Sequence, residues 1–259
     1  MAKHAAPRRR PTAGKRGILP LLLCAAVSVG LIAVCLSLLP ARDRIPVGGM
    51  QTPDSTLPEA PASSVPEVEP EPVVETVTFS ATGDDLIHSP IYKQAARRAS
   101  GDEKYSFDYC YEHIAPFYAQ QDVNWINQET LCNDELEPST YPCFSTPGDC
   151  ARALYRAGVR VFSLSNNHTY DKGAAGIAAT LRFWETMPED VITTGLWKGE
   201  ADYGRIPIQT VDGVKIAYLS YTEHTNGIPR NSKMAANIIY TSQQDVMEQQ
   251  VRAARQEAD

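Results

Sequence analysis

No lysine or arginine occurs between Ile45 and Glu75, where six acidic residues stand among seven prolines. Such a stretch cannot bury a core and reads as an extended spacer. At about 3.1 Å per residue it could reach up to about 90 Å. Charge of either sign is missing from the 22 residues Ile18 to Leu39. Several chemical signatures are missing as well. No cysteine pair has the CxxC spacing of a zinc or dithiol centre. Neither Ser163 nor Ser165 sits in GxSxG, which argues against a nucleophile-elbow hydrolase. There is no P-loop, no dinucleotide fingerprint and no internal repeat.

What is present is unevenly charged. Residues 1–44 carry +7, residues 45–75 carry −6, and the rest carries −8 of the overall −7. An acidic globular part argues against nucleic acid as a partner. It leaves room for an anionic substrate, because a bound divalent cation reverses the local field. The uncharged run, as a helix, would span about 33 Å, enough to cross a bilayer. Residues 1–17 form a basic arm, expected to stay in the cytoplasm and to place everything after Arg42 outside. The expected organisation is a cytoplasmic arm (1–17), a transmembrane signal anchor (18–39), a Pro/Glu-rich linker (40–75) and a globular domain (76–259). A cleaved signal peptide is the rival reading, but only Leu38, Leu39, Pro40 and Ala41 follow the run, with no small-x-small site. Leu23 before Cys24 and Val34 before Cys35 argue against lipidation. In an external domain disulfides can persist. Cys132 with Cys143 would staple the loop after Glu129, and buried free thiols are the alternative.

In the globular part, apolar runs at Val77–Ala81, Asp122–Ile126, Val159–Leu164 and Val191–Thr194 predict short strands. Helical patterns occupy Ile91–Ala99, Phe107–Ala119, Asp149–Arg156 with Gly158 closing it, Ala174–Glu185, and Ser242–Ala258 capped by Ser242 or Thr241. Ile206–Val211 and Val214–Tyr221 flank Asp212-Gly213, a strong hairpin turn. Strands alternating with helices predict an α/β fold with a largely parallel sheet.

The centre of this pattern is VRVFSLSNNHTYDKG, Val159 to Gly173. A buried strand opens into Asn166, Asn167, His168 and Asp171 before a helix, as at the carboxyl edge of an open sheet. Two amides, an imidazole and a carboxylate need partners if buried, and a metal ion or oxyanion would serve several together. A plain polar turn with Asp171 capping the next helix is the alternative. Three further strands end in similar loops: Asp84, Asp85 and His88; Asn127 and Glu129; Glu223, His224 and Asn226. Mixed oxygen and imidazole donors converging there would suit Mn, Fe or Zn. Taken singly, Asp84 reads equally as a helix cap, His88 as a surface histidine and Glu129 as a solvated carboxylate.

The segments TGDDLIHSPIY, NQE, LSNNHTYDKG and YTEHTNGIP resemble bacterial capsule-synthesis proteins of the poly-γ-glutamate type, the CapA/PgsA family, from about Val77 onward. The resemblance implies a layered α/β fold like that of the calcineurin-like metallophosphoesterases, with one or two divalent ions at the strand ends. It implies Asp84, Asn127, Glu129, Asn167 and His168 as metal ligands, and His168 with Asp171 as the catalytic candidates. Three departures stand out. Position 86 is Leu where the phosphoesterases have His, leaving His88. The bridging position has no aspartate. The chain stops at Asp259 before the late histidine loops, so a C-terminally truncated domain is expected. The implied role is capsule polymer synthesis or export, with the membrane, an anionic polymer such as poly-γ-glutamate and other capsule-synthesis membrane proteins as partners. A metal-dependent hydrolase and a non-catalytic scaffold are the alternatives.

Overall fold

The computed structural model of the chain describes residues 74–229, 231 and 236–259. The basic arm, the uncharged run and all but the end of the spacer lie outside the described residues. Among the described residues no helix is long and apolar enough to cross a membrane. In chain order the elements are β1 (Phe79–Asp84), α1 (Ser89–Arg98), α2 (Asp108–Tyr111), α3 (Ala115–Tyr118), β2 (Val123–Asn127), β3 (Cys132–Asn133), β4 (Thr146–Pro147), α4 (Asp149–Ala157), β5 (Val161–Ser163), α5 (Gly173–Trp184), β6 (Ile192–Thr194), β7 (Ile208–Val211), β8 (Val214–Ala217) and α6 (Gln244–Glu257).

Strands β1, β2, β5 and β6 form one sheet in the order β1-β2-β5-β6, with every pairing parallel. The fold is therefore α/β, as expected from the alternation. All three residues of β5 are buried, because both faces of the sheet are covered where β5 lies. Ile126 and Phe162 face a core built with Ala95, Leu154, Ile177 and Phe183 from α1, α4 and α5. Val123 and Val161 face the other way, toward Tyr218 and the β7–β8 hairpin. That alternation along each strand is the period of two that the pleat imposes. The hairpin turns at Asp212 and Gly213, with φ of 48° and 88°, the left-handed pair that a two-residue turn requires.

The backbone ladder continues past the strands and sets their carboxyl ends side by side. Asp85 N–H donates to Asn127 O at 2.8 Å, Gln128 N–H to Ser163 O at 2.9 Å, and Leu164 N–H to Thr194 O at 2.9 Å. Strand β1 runs to Asp84, beyond the expected end at Ala81. Its register with β2 slips between Thr82 and Asp84, an irregularity of the kind that re-aims a side chain at a sheet rim.

Two local expectations need correction, and of the two readings of the cysteines the free-thiol one holds. The single helix expected over Phe107–Ala119 is two short turns, α2 and α3, because Pro116 in a continuous helix would lose a hydrogen bond and strike the Glu112 carbonyl. Instead it sits in the first turn of α3. Neither Ser242 nor Thr241 caps α6; Gln243 holds that position without a side-chain cap bond, and Thr241 N–H is spent on Thr222 O at 2.9 Å. All four cysteines of the domain are free. Cys132 is not stapled to Cys143; it is buried beside Cys150, to which it hydrogen-bonds.

Candidate functional site

The rim formed by the ends of β1, β2 and β5 collects the polar groups. Asn127 Nδ2, at the end of β2, donates to Asp84 Oδ1 at 2.8 Å. Two residues on, Glu129 is buried, and its Oε1 lies 3.7 Å from His168 Nε2. Burial pushes the Glu129 carboxyl above its usual range, and neighbouring Asp84 pushes it further, through both charge and a shared hydrogen bond. His168 and Asn167 pull the other way.

His168 is held from behind. Its Nδ1 lies 2.8 Å from Asp171 Oδ2, and the same oxygen accepts the Phe144 N–H at 2.6 Å. The His168 N–H donates to Asn166 Oδ1 at 2.9 Å, and Asn166 Nδ2 donates to Gln128 O at 3.1 Å. These bonds lock the β5 loop onto the β2 loop. Burial raises the Asp171 carboxyl, opposed first by the Phe144 N–H and then by His168. The contact with Asp171 at Nδ1 turns the Nε2 edge of the ring toward Glu129. The ring of Phe144 stands edge-on to His168 at 4.8 Å and to His88 at 5.0 Å.

The structure thus brings Asp84, Asn127, Glu129, Asn167, His168 and Asp171 to one rim. Asn226 joins them: its Oδ1 accepts from Asn167 Nδ2 at 3.3 Å, and its Nδ2 lies 3.2 and 3.4 Å from the two His168 nitrogens. The other loop residues go elsewhere. Asp85 turns into the interior, where Tyr111 OH at 2.8 Å, Gln128 Nε2 at 2.8 Å and Cys150 Sγ at 3.2 Å donate to it. His88 is occupied by Thr140 Oγ1 at 3.2 Å. Glu223 and His224 are exposed. Asp171 does not cap α5, whose N-cap is Lys172.

Two participants had no local signal. Phe144 contributes a backbone N–H and a ring from a loop that read only as cysteine-bearing. Gln128 contributes a backbone carbonyl, and inside the NQE segment nothing set it apart as a site residue. Asn226 was already among the strand-end candidates, and it takes the left-handed backbone that asparagine tolerates, with φ of 49°.

The donor set suits a hard or borderline cation. Two carboxylates are pressed together, amides flank them, and the imidazole has its far nitrogen fixed by a carboxylate, as metal-bound histidines do. Among the described residues, however, no three His, Cys, Asp or Glu side chains already stand in the arrangement of an assembled metal centre.

Comparison with known proteins gives two findings. The chain is 27% identical over 154 residues to the capsule biosynthesis protein CapA of Bacillus anthracis. That alignment takes in 58% of this chain and 35% of the relative, so the chain spans about a third of that protein's length. The family described as bacterial capsule synthesis protein PGA_cap matches residues 78–259. With its parallel sheet and the strand-end motifs all inside that match, the chain belongs to the PGA_cap family of bacterial capsule synthesis proteins.

Proposed function

We propose that this chain acts in capsule polymer assembly or export outside the cytoplasm, tethered by residues 18–39, and that its strand-end rim engages an anionic polymer of the poly-γ-glutamate kind through a divalent cation. The observation that carries the reading is that buried Glu129 lies against both Asp84, which raises its carboxyl, and His168, whose Nε2 is 3.7 Å from its Oε1. The parallel sheet with its site at the strand ends also supports a layered fold of the calcineurin-like metallophosphoesterase kind.

Asp84, Glu129 and His168 would hold Mn, Fe or Zn, with the Asn127 and Asn167 amides as further oxygen donors. When bound, the cation supplies positive charge for carboxylates of the polymer or for a phosphoryl group. Asp171 keeps the imidazole oriented with its proton on Nδ1. Phe144 closes one side of the ring against water. Asn226 ties the loop after β8 to the β5 loop, so four loops share one edge.

A second reading, metal-dependent hydrolysis, is favoured by the buried His168–Asp171 pair, which could move a proton at His168 Nε2. One experiment separates the two. The full-length chain should retain poly-γ-glutamate in the presence of Mn²⁺, lose it on chelation, and lose it in Asp84→Ala with His168→Ala. Those substitutions should also abolish capsule in the producing cell. Turnover of a generic phosphodiester, abolished by His168→Ala, would establish the hydrolase instead. Polymer retention unchanged by chelation and by the double variant would overturn the cation reading.

A further inference from the structure

Behind Glu129, between the sheet and α5, lies a cavity of about 10 Å³. Four of the residues that line it, Gln128, Glu129, Thr180 and Trp184, each carry a buried polar atom with no hydrogen-bond partner: Gln128 Oε1, Glu129 Oε2, Thr180 Oγ1 and Trp184 Nε1. Leu164 and Leu196 supply apolar wall. Such atoms are rare in folded proteins, and four residues that carry them line this one void, a set that calls for an occupant.

Local geometry explains why these atoms are left over. Gln128 Nε2 is committed to Asp85 Oδ2 at 2.8 Å, which fixes the amide and leaves its oxygen as the spare end. Glu129 uses Oε1 toward His168, so Oε2 is spare. Thr180 and Trp184 are four apart on α5 and share a face of that helix.

The chemistry of the set selects the occupant. The indole N–H can only donate and repels a cation. The carboxylate repels an anion. The amide oxygen can only accept, and the hydroxyl does either. A molecule that both donates and accepts, and fits so small a space, is water. We infer that a single buried water binds here and ties Glu129 to α5, making Thr180 and Trp184 positioning residues for the rim carboxylate. The helix that begins just after His168 and Asp171 then also sets Glu129, so both sides of the rim are referenced to one rigid element.

The test uses the full-length chain. The indole N–H signal of Trp184, assigned by its loss in Trp184→Phe, should show a cross-relaxation peak to water with the sign of a long-lived bound molecule. Thr180→Val keeps the shape and removes the hydroxyl; it should weaken that peak, and Thr180→Ser should restore it. Because the rim rests on the cation reading above, Mn²⁺ affinity gives a second readout. It should fall about tenfold in Thr180→Val and recover in Thr180→Ser. If the wild type binds no Mn²⁺, the cation reading fails and the water peak alone decides this inference. Absence of the water peak at Trp184, or a metal ion in the cavity in a high-resolution crystal structure, would overturn it.

Discussion

Asp171 accepts two hydrogen bonds at one oxygen, from His168 Nδ1 at 2.8 Å and from the Phe144 N–H at 2.6 Å. A single buried carboxylate thereby orients the rim imidazole and anchors the loop that carries Phe144. The orientation of the imidazole and the packing of the 131–145 loop thus depend on one carboxylate, and a change in either should be felt in both.

Asp171→Asn tests that coupling. An amide oxygen can still accept from Phe144, but it no longer fixes the imidazole tautomer with a charge. The expected result is a folded chain whose Mn²⁺ affinity falls by about 10- to 100-fold, as for other lost carboxylate–histidine pairs, measured by calorimetric titration. Unchanged affinity would mean that the Nδ1 contact does not set the ring.

Gly195 has φ of +89°, and a Cβ there would stand 2.6 Å from the Ser165 Cβ and 2.8 Å from the Ser220 Cβ. Backbone strain and overpacking both oppose a side chain, so Gly195→Ala should cost about 2–4 kcal/mol in denaturant unfolding. Gly199, with φ of 174° and nothing near its missing Cβ, is the control. Gly199→Ala should change stability by no more than about 0.5 kcal/mol.

Burial pushes the Tyr218 phenol up to about 12, and its hydroxyl donates to Gln209 Oε1 at 2.8 Å. The unfolded chain ionises near the ordinary value of 10.0, so above that pH it holds fewer protons than the folded chain. The stability contributed by the neutral phenol is therefore complete below pH 10 and is lost as pH rises toward about 12. Denaturant midpoints should fall over that window, and more steeply in the wild type than in Tyr218→Phe. Equal slopes would show that Tyr218 ionises freely.

The strand-end plan was legible because apolar runs and polar loops alternate within a few residues of each other. Val159–Leu164 followed by Asn166 to Asp171 contains both halves of that signal. The direction of each loop side chain was not legible. Asp84 and Asp85 are adjacent and chemically alike, yet one lies at the rim and the other inside. What separates them is Tyr111, Gln128 and Cys150, which lie 26, 43 and 65 residues from Asp85. No local pattern contains those distances. The helix over Phe107–Ala119 was misread for a different reason: its apolar spacing is helical throughout, and Pro116 weighed more than the spacing did.

The tether is tested by a topology reporter. An enzyme active only outside the cytoplasm, fused after Glu75, should be active in growing cells and should sediment with membranes. A fusion that is made in full yet stays inactive would remove the membrane from the account and with it the extracytoplasmic partner.

The central claim is that Asp84, Glu129 and His168 jointly grip a cation. Elemental analysis of the full-length chain, purified without chelator, is the most direct measurement. The account predicts bound Mn, Fe or Zn in the wild type and a marked loss in Asp84→Ala with His168→Ala. A metal-free wild type that also fails to take up these ions on reconstitution would contradict it.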